Sequence, residues 1–367
     1  MTLSRLLMSM VLAMAASSLV AQQNAADSVK PQVDADGSIT TIGGKIPFSA
    51  AASKEALKRF QEILVEDKAA PGISNPLASR KFYDKINSDR AARMEKLYSV
   101  ETKQSKIGGV PVAIVTATDS RKDDARVLIN LHGGAFLWGA GSGGLVEAIP
   151  VASISKIKVI TVDYREGPED QFPAATDDVE KVYRAILEHY ESKNIGIYGC
   201  SSGGGLTAQS IVRFQEKQLP LPGAIGIFCS GIANDAGDSQ SIGPLLMGQL
   251  LPSGKADGAP SDHPYFKGQA FKDFLARFTK PGAIDAVVAR FPPTLLISGT
   301  RDMALSGTLV TNEILSKAGV ISELHVWEGM WHSFFSDPEL PESKAAYEVI
   351  ARFFDRHLGK LPNAGKH

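Results

Sequence analysis

Four short stretches of this chain combine residue types suited to acyl transfer. The first is Gly199-Cys200-Ser201-Ser202-Gly203, which follows an apolar run at residues 194–198 and precedes an amphipathic stretch reaching Gln215. Glycines two before and two after a serine let a strand turn sharply into a helix. The serine is then forced into a crowded backbone conformation with its hydroxyl projecting from the turn. At a helix N-terminus the positive dipole and free N–H groups favour a developing oxyanion. Ser201 is the candidate nucleophile; Ser202, its rival, lacks glycines at that spacing on both sides.

The second stretch is Leu131-His132-Gly133-Gly134-Ala135-Phe136. Acyl transfer builds negative charge on a carbonyl oxygen, so backbone donors must already point at it, and losing one such donor costs on the order of 10² to 10³ in rate. Gly133, Gly134 and Ala135 expose amides with little side-chain obstruction and, with the amide of Ser202, are the candidate oxyanion donors. His132 is expected to anchor the loop, not to move protons. The third and fourth stretches, Ser298-Gly299-Thr300-Arg301-Asp302 and Trp331-His332-Ser333-Phe334, each follow a late apolar run. Their order, Ser…Asp…His, is that of an α/β-hydrolase. His332 would act as general base and then acid, with activity rising as the imidazole loses its proton. Asp302 would fix the imidazole tautomer and offset its positive charge.

The elements that must position these groups begin late. Residues 22–52 are polar and lack a sustained period, which predicts an extended arm. Behind Ser53, an expected N-cap, Ala56, Leu57, Phe60, Ile63 and Leu64 recur at helical spacing. Pro71 and Pro76 interrupt the pattern, and a second, heavily charged helix is predicted over 79–97 with Phe82, Ile86 and Met94 as its apolar contacts. From residue 100 the pattern becomes α/β. Strands are predicted at 110–117, 126–131, 158–163, 194–198, 224–228, 294–297 and 323–327, with a polar turn at 118–124 and a helix at 177–191. Short strands, apolar on both sides and separated by helices, predict a mostly parallel sheet with helices on both faces. Residues 233–290 break the rhythm with many Gly, Pro and Asp residues and one helix near 271–278, as a lid or pocket wall would.

The chain has 367 residues, 44% hydrophobic and 22% charged, with Lys+Arg 39 against Asp+Glu 40 and a net charge of −1. That composition excludes wholesale disorder and coiled-coil architectures, and the balance offers no electrostatic reason to favour nucleic acid or an anionic membrane. Arg5, the apolar or small residues 6–20 and Leu19-Val20-Ala21 match a secretory signal peptide over 1–21. Export to the periplasm or medium is expected, with no stable membrane span once it is removed. Cys200 and Cys229 lack zinc-ligand spacing, and no metal is expected. Cys200 is expected as a small buried filler, with a disulfide to Cys229 on an adjacent strand as the alternative.

The run Asp163-Tyr164-Arg165-Glu166-Gly167-Pro168-Glu169-Asp170-Gln171-Phe172-Pro173-Ala174-Ala175-Thr176-Asp177-Asp178 resembles the D-Y-R-L-A-P-E-x-x-F-P-A-A-x-D-D block of the bacterial hormone-sensitive lipase family. It lies between the Gly-rich loop and the serine turn, as in that family, and the resemblance covers residues 100–357 with all four blocks in order. The resemblance implies an α/β-hydrolase sheet of about eight strands and a helical cap built from residues 22–99 and the 233–290 insertion of a core spanning 100–367. It also implies hydrolysis of carboxylic esters of short to medium acyl chains, without a cofactor. Ser201, Asp302 and His332 then fall on the catalytic positions, with Gly134, Ala135 and Ser202 as the foremost oxyanion donors, and the Asp163–Asp178 block buttresses the oxyanion loop. Three departures stand out: Ala135 for the loop's third glycine, Cys200 for the Asp or Thr before the nucleophile, and Ser202 for the Ala after it.

Candidate pocket residues are Phe136, Leu137 and Trp138 beyond the oxyanion loop, Met330 and Trp331 beside His332, and Leu245, Leu246, Met247, Leu250 and Leu251 in the insertion. Together they imply a small-molecule ester with an apolar acyl or alcohol part. The same machinery would open lactones or activated amides. The reading from another class is a non-catalytic ligand-binding protein on a hydrolase fold, which the presence of His332 opposes. The sequence sets no oligomeric state.

Overall fold

The computed structural model describes residues 32–41, 44–72, 74–118, 123–232, 237–248, 263–276 and 283–359. The segment 1–21, Leu250, Leu251 and much of the 233–290 insertion lie outside the described residues.

Where an arm is expected, three short strands pair antiparallel instead: β1 (Gln32–Val33), β2 (Ile39–Thr41) and β3 (Gly44–Ile46). The polar run is folded on itself because Lys45 bridges Asp34 and Asp36 at 3.0 and 3.2 Å, and Ile39 is fully buried. Helix α1 (Lys54–Ala69) starts where Ser53 caps it, its hydroxyl accepting the Ala56 amide at 3.0 Å. Helix α2 (Pro76–Leu97) starts earlier than expected. Asn75 caps it by accepting the Ala78 amide, and Pro76 occupies the first turn, where a missing N–H costs nothing.

The main sheet has eight strands in the order β11-β10-β9-β8-β6-β7-β5-β4. They are β4 (Val100–Ile107), β5 (Val110–Ala117), β6 (Asp123–Leu131), β7 (Ile157–Val162), β8 (Ile195–Cys200), β9 (Ala224–Phe228), β10 (Thr294–Gly299) and β11 (Ser322–Trp327). Only β5 runs antiparallel to its neighbours; every other pairing is parallel. Strand β4, which the apolar pattern does not pick out, is an edge strand of sequence VETKQSKI.

Side chains alternate across the sheet with the strand period of two. Leu128 joins one core with α3 (Ser142–Ser155), α10 (Pro341–His357) and Phe60 and Met94 of the first two helices. Val127, Ile129 and Leu131 join the other, with α4 (Ala174–Leu187) and α5 (Ser202–Glu216). The remaining helices are α6 (Ser239–Leu246), α7 (Gln269–Ala276), α8 (Ala283–Val288) and α9 (Leu305–Lys317).

Candidate active site

The carboxyl ends of β6, β8, β10 and β11 meet at one rim of the sheet, and each contributes a loop. At the end of β8, Ser201 takes φ 58° and ψ −124° and is followed at once by α5. The glycine spacing has a direct steric cause. A Cβ at either Gly199 or Gly203 would overlap the carbonyl oxygen of Leu131 on the neighbouring strand. The turn is further fixed by the Ser201 amide donating to Phe228 O at 2.8 Å.

The three side chains from separate blocks converge. His332 Nε2 lies 2.9 Å from Ser201 Oγ, and its Nδ1 lies 2.7 Å from Asp302 Oδ1. Asp302 is fully buried, whereas the His332 side chain keeps 26% exposure and faces a cavity. Burial alone would raise the Asp302 pKa. The imidazole charge and hydrogen bond of His332, the Ala304 amide at 2.8 Å and the Ser298 hydroxyl at 2.8 Å outweigh it and hold the pKa below its ordinary value. An ionised Asp302 can accept only from the Nδ1–H tautomer, which leaves the Nε2 lone pair toward Ser201.

The Gly-rich loop after β6 carries positive φ at Gly134 (129°), Ala135 (53°) and Phe136 (58°). The amides of Gly134 and Ala135 meet no protein acceptor among the described residues, and the Ser202 amide is a free first-turn donor. Gly133 differs from the expectation, because its amide donates to Glu147 Oε1 at 2.8 Å and so is committed away from any oxyanion. His132 behaves as an anchor. It is fully buried, stacks on Tyr164 at 4.2 Å, sets Nδ1 2.9 Å from Gly133 O, and burial lowers its pKa, which keeps it neutral. The Asp163–Asp178 block buttresses the loop through specific bonds: Tyr164 Oη donates to His132 O at 2.6 Å, and Asp163 Oδ1 accepts the Gly141 amide at 2.7 Å.

Glu147, on α3, is the functional residue that the motifs do not reveal. Its Oε2 accepts the Cys200 amide at 3.2 Å and the Asn130 side-chain amide at 3.0 Å, while Oε1 holds Gly133. One carboxylate thus ties the oxyanion loop to the residue before the nucleophile. Burial raises its pKa to about 7, against the pull of those three N–H donors. A lone acid among small residues in GSGGLVEAIPVAS carries no spacing signal. The thiols of Cys200 and Cys229 are buried and not joined by a disulfide, so that alternative is not realised; Cys200 Sγ lies 2.9 Å from Ser333 Oγ.

A cavity of about 450 Å³ opens above Ser201. Trp138 and Trp331 line it, and among the described residues of the insertion's Leu245–Met247 run Met247 alone does so. Phe136, Leu137 and Met330 do not. Phe136 packs face to face on Tyr265 at 4.8 Å and Leu137 is fully buried, because the positive-φ loop turns these side chains into the core, and Met330, in the loop after β11, is fully buried in the other core. Leu245 and Leu246 are also off the cavity; Gly243 and Pro244 of the same helix face it. The wall that pocket reasoning misses comes from α1 and α2, chiefly Ile63, Phe82, Tyr83, Ile86 and Asn87, with Tyr83 stacked on Trp138 at 4.7 Å.

This geometry has counterparts among known proteins. Residues 128–336 match the family of the alpha/beta hydrolase fold. The chain is 27% identical to an esterase of Acinetobacter venetianus over 70% of its own length and 82% of the relative's. It is also 25% identical to an acetyl-hydrolase of Streptomyces hygroscopicus over 65% and 78%. A solved esterase superposes with a TM-score of 0.66 at 28% identity, covering 85% of this chain and 97% of that one. A second, from the bacterial hormone-sensitive lipase family, gives 0.65 at 24% identity over 84% and 100%. Fold, relatives and the Ser–His–Asp relay agree on ester hydrolysis by a serine hydrolase, and the chain belongs to the family of the alpha/beta hydrolase fold.

Proposed function

We propose that the chain hydrolyses small carboxylic esters of short to medium acyl chains through an acyl-enzyme on Ser201. The observation that carries this reading is the unbroken relay from Ser201 Oγ through His332 to Asp302, at 2.9 and 2.7 Å. His332 Nε2 takes the hydroxyl proton as Oγ adds to the ester carbonyl. The oxyanion receives the amides of Gly134, Ala135 and Ser202. His332 then returns the proton to the leaving alcohol, and a water activated by the same imidazole releases the acid. Asp302 keeps the imidazole in the productive tautomer and offsets its charge when protonated. Phe82, Tyr83, Ile86 and Trp138 give the cavity an apolar wall, and its 450 Å³ suits a short or medium acyl group.

The cap in this reading comprises α1, α2 and the insertion that contributes α6. Export rests on the leader composition of residues 1–21, with Arg5 ahead of an apolar stretch. No helix among the described residues is long and apolar enough to cross a membrane.

A p-nitrophenyl ester series from acetate to decanoate, run with the wild type and Ser201→Ala, tests the assignment. Turnover is expected to peak at or below about eight acyl carbons, the size such a cavity holds, and to vanish in Ser201→Ala. Saturable binding without turnover by the wild type would reject it. Lactones and anilides in the same plate show whether cyclic esters or activated amides are better substrates.

A further inference from the structure

A thiol stands beside the relay and has no part in ester hydrolysis. Cys229 follows β9 with φ 50° and its amide bonded to Ile297 O at 2.7 Å, so its position is set by the carboxyl end of the central strands. One donor atom each from Cys229, Asp302 and His332 lies within 4.8 Å of the other two. We propose that these three residues form a binding site for a divalent zinc ion, and that the ion inhibits the enzyme by occupying the Asp302 side of the imidazole.

The donor chemistry is that of zinc: one thiolate, one imidazole nitrogen and one carboxylate oxygen, with water completing a tetrahedron. Zinc bond lengths of about 2.0–2.3 Å place tetrahedral donors roughly 3.3–3.6 Å apart. The Nδ1···Oδ1 separation of 2.7 Å must therefore open by somewhat more than half an ångström, which side-chain rotation can supply. The coordinating nitrogen is Nδ1, because Nε2 lies on the far side of the ring, 2.9 Å from Ser201 Oγ.

Charge and protons balance. Asp302 enters ionised, Cys229 gives up its thiol proton to solvent, and the imidazole stays neutral. The +2 ion with two anionic ligands leaves a neutral cluster, which matters because Cys229 and Asp302 are both buried. The proton on Nδ1 cannot remain there once the metal takes that lone pair, so it moves to Nε2. A ring protonated on Nε2 cannot accept the Ser201 proton. The inhibitor thus acts by fixing the wrong tautomer while the substrate cavity stays open. Of the three ligands His332 alone lines the cavity, so an ion would enter past its imidazole. Sequence spacing cannot reveal this site, since its ligands sit at 229, 302 and 332 and only the fold joins them.

The inhibitory effect rests on the catalytic assignment above, whereas metal binding can be read without turnover. Cobalt(II) added to the wild-type protein is expected to give a near-ultraviolet thiolate-to-metal band and tetrahedral visible bands at one ion per chain. Zinc is expected to displace it. Zinc should also abolish ester hydrolysis, and EDTA should restore it. Cys229→Ala removes a direct ligand, which costs more than the ~10–100-fold in affinity lost with an outer partner. It should hydrolyse ester without metal, lack the thiolate band, and need at least about a hundredfold more zinc for half-inhibition. Cys200→Ala should behave as wild type toward both metals. If Cys229→Ala folds poorly, Cys229→Ser serves, with the thiolate band lost. The proposal is overturned if cobalt gives no thiolate band, if zinc leaves the wild type active, or if the Cys229 variants are inhibited as readily as wild type. A protein that binds cobalt through Cys229 but hydrolyses no ester would sink the esterase reading and leave the metal site standing.

Discussion

Glu147 Oε1 accepts the amide of Gly133 at 2.8 Å, and that single bond decides which amides of the Gly-rich loop remain for an oxyanion. The other oxygen holds Cys200, so nucleophile turn and oxyanion loop share one carboxylate. Glu147→Ala should lower kcat by at least about tenfold, a fraction of what loss of an oxyanion donor costs, with KM changed less. Glu147→Gln should fall between, since its carbonyl can serve Gly133 while its NH2 meets the donors at Cys200 and Asn130. Steady-state kinetics on short esters check both.

The same carboxyl makes stability depend on pH. Its folded pKa, about 7, stands above the ordinary 4.5, chiefly through burial. The native state therefore holds this proton more tightly than the unfolded chain. That contribution is complete below pH 4.5 and is lost as pH rises through 7. Melting temperatures from pH 5 to 8 should show wild type losing ground to Glu147→Gln, which does not titrate. Parallel curves would contradict the assigned burial.

Asp302→Asn keeps the shape of the relay but lets the imidazole take the unproductive tautomer. By analogy with the serine protease relay, kcat should fall by about 10⁴ with KM nearly unchanged. In the wild type, kcat/KM should rise with pH as His332 becomes neutral, and a flat profile from pH 5 to 8 would argue against its role as base.

Glu166 stands where the resembled block has leucine. Burial raises its pKa to about 8, and its Oε1 is buried with no hydrogen-bond partner among the described residues. Glu166→Leu should stabilise the protein by about 1–3 kcal/mol, the cost of an unsatisfied buried polar group. Because the folded pKa is raised, the stability carried by the neutral acid is lost as pH rises through 8. The gain in melting temperature should therefore be larger at pH 9 than at pH 6.

Asp337, 1% exposed, gathers Arg59 of α1 at 3.0 Å and Arg90 and Arg93 of α2 at 3.3 and 3.9 Å. Removing it leaves a partly buried cluster of guanidinium groups without their common anion. Asp337→Ala should cost about 3–5 kcal/mol by urea unfolding, the range for one partner of a buried pair. Since Arg90 and Ile63 line the cavity, KM for esters should rise as α1 and α2 loosen.

The candidate catalytic blocks are legible in the chain because each is a local device. A glycine at 199 or 203 is demanded by the approach of Leu131 within one strand–turn–helix unit, and the acid and the histidine follow their own strands. Strands buried on both sides, such as Ile195–Cys200, announce themselves by composition. Elements without a one-sided pattern do not. Helix α3 is buried nearly all round, so no amphipathic period marks it or Glu147 within it. Strand β4 is a polar edge, and the residue 32–46 strands are held by side-chain bonds of Asp34 and Asp36 to Lys45 and by the burial of the single residue Ile39, too little apolar surface to set up a period.

Which large side chain faces the substrate is a different kind of question. Phe136 and Trp138 are two residues apart in one loop, yet the first is packed on Tyr265 and the second on the cavity wall beside Tyr83. The sequence by itself determined the candidate reacting groups and their order, since bond geometry within a few residues constrains them. The tertiary structure alone decided the pocket wall, the amide that Glu147 removes from the oxyanion site, and the meeting of Cys229 with Asp302 and His332. Those depend on how separate strands and helices pack, and residue order along the chain carries no distance between them.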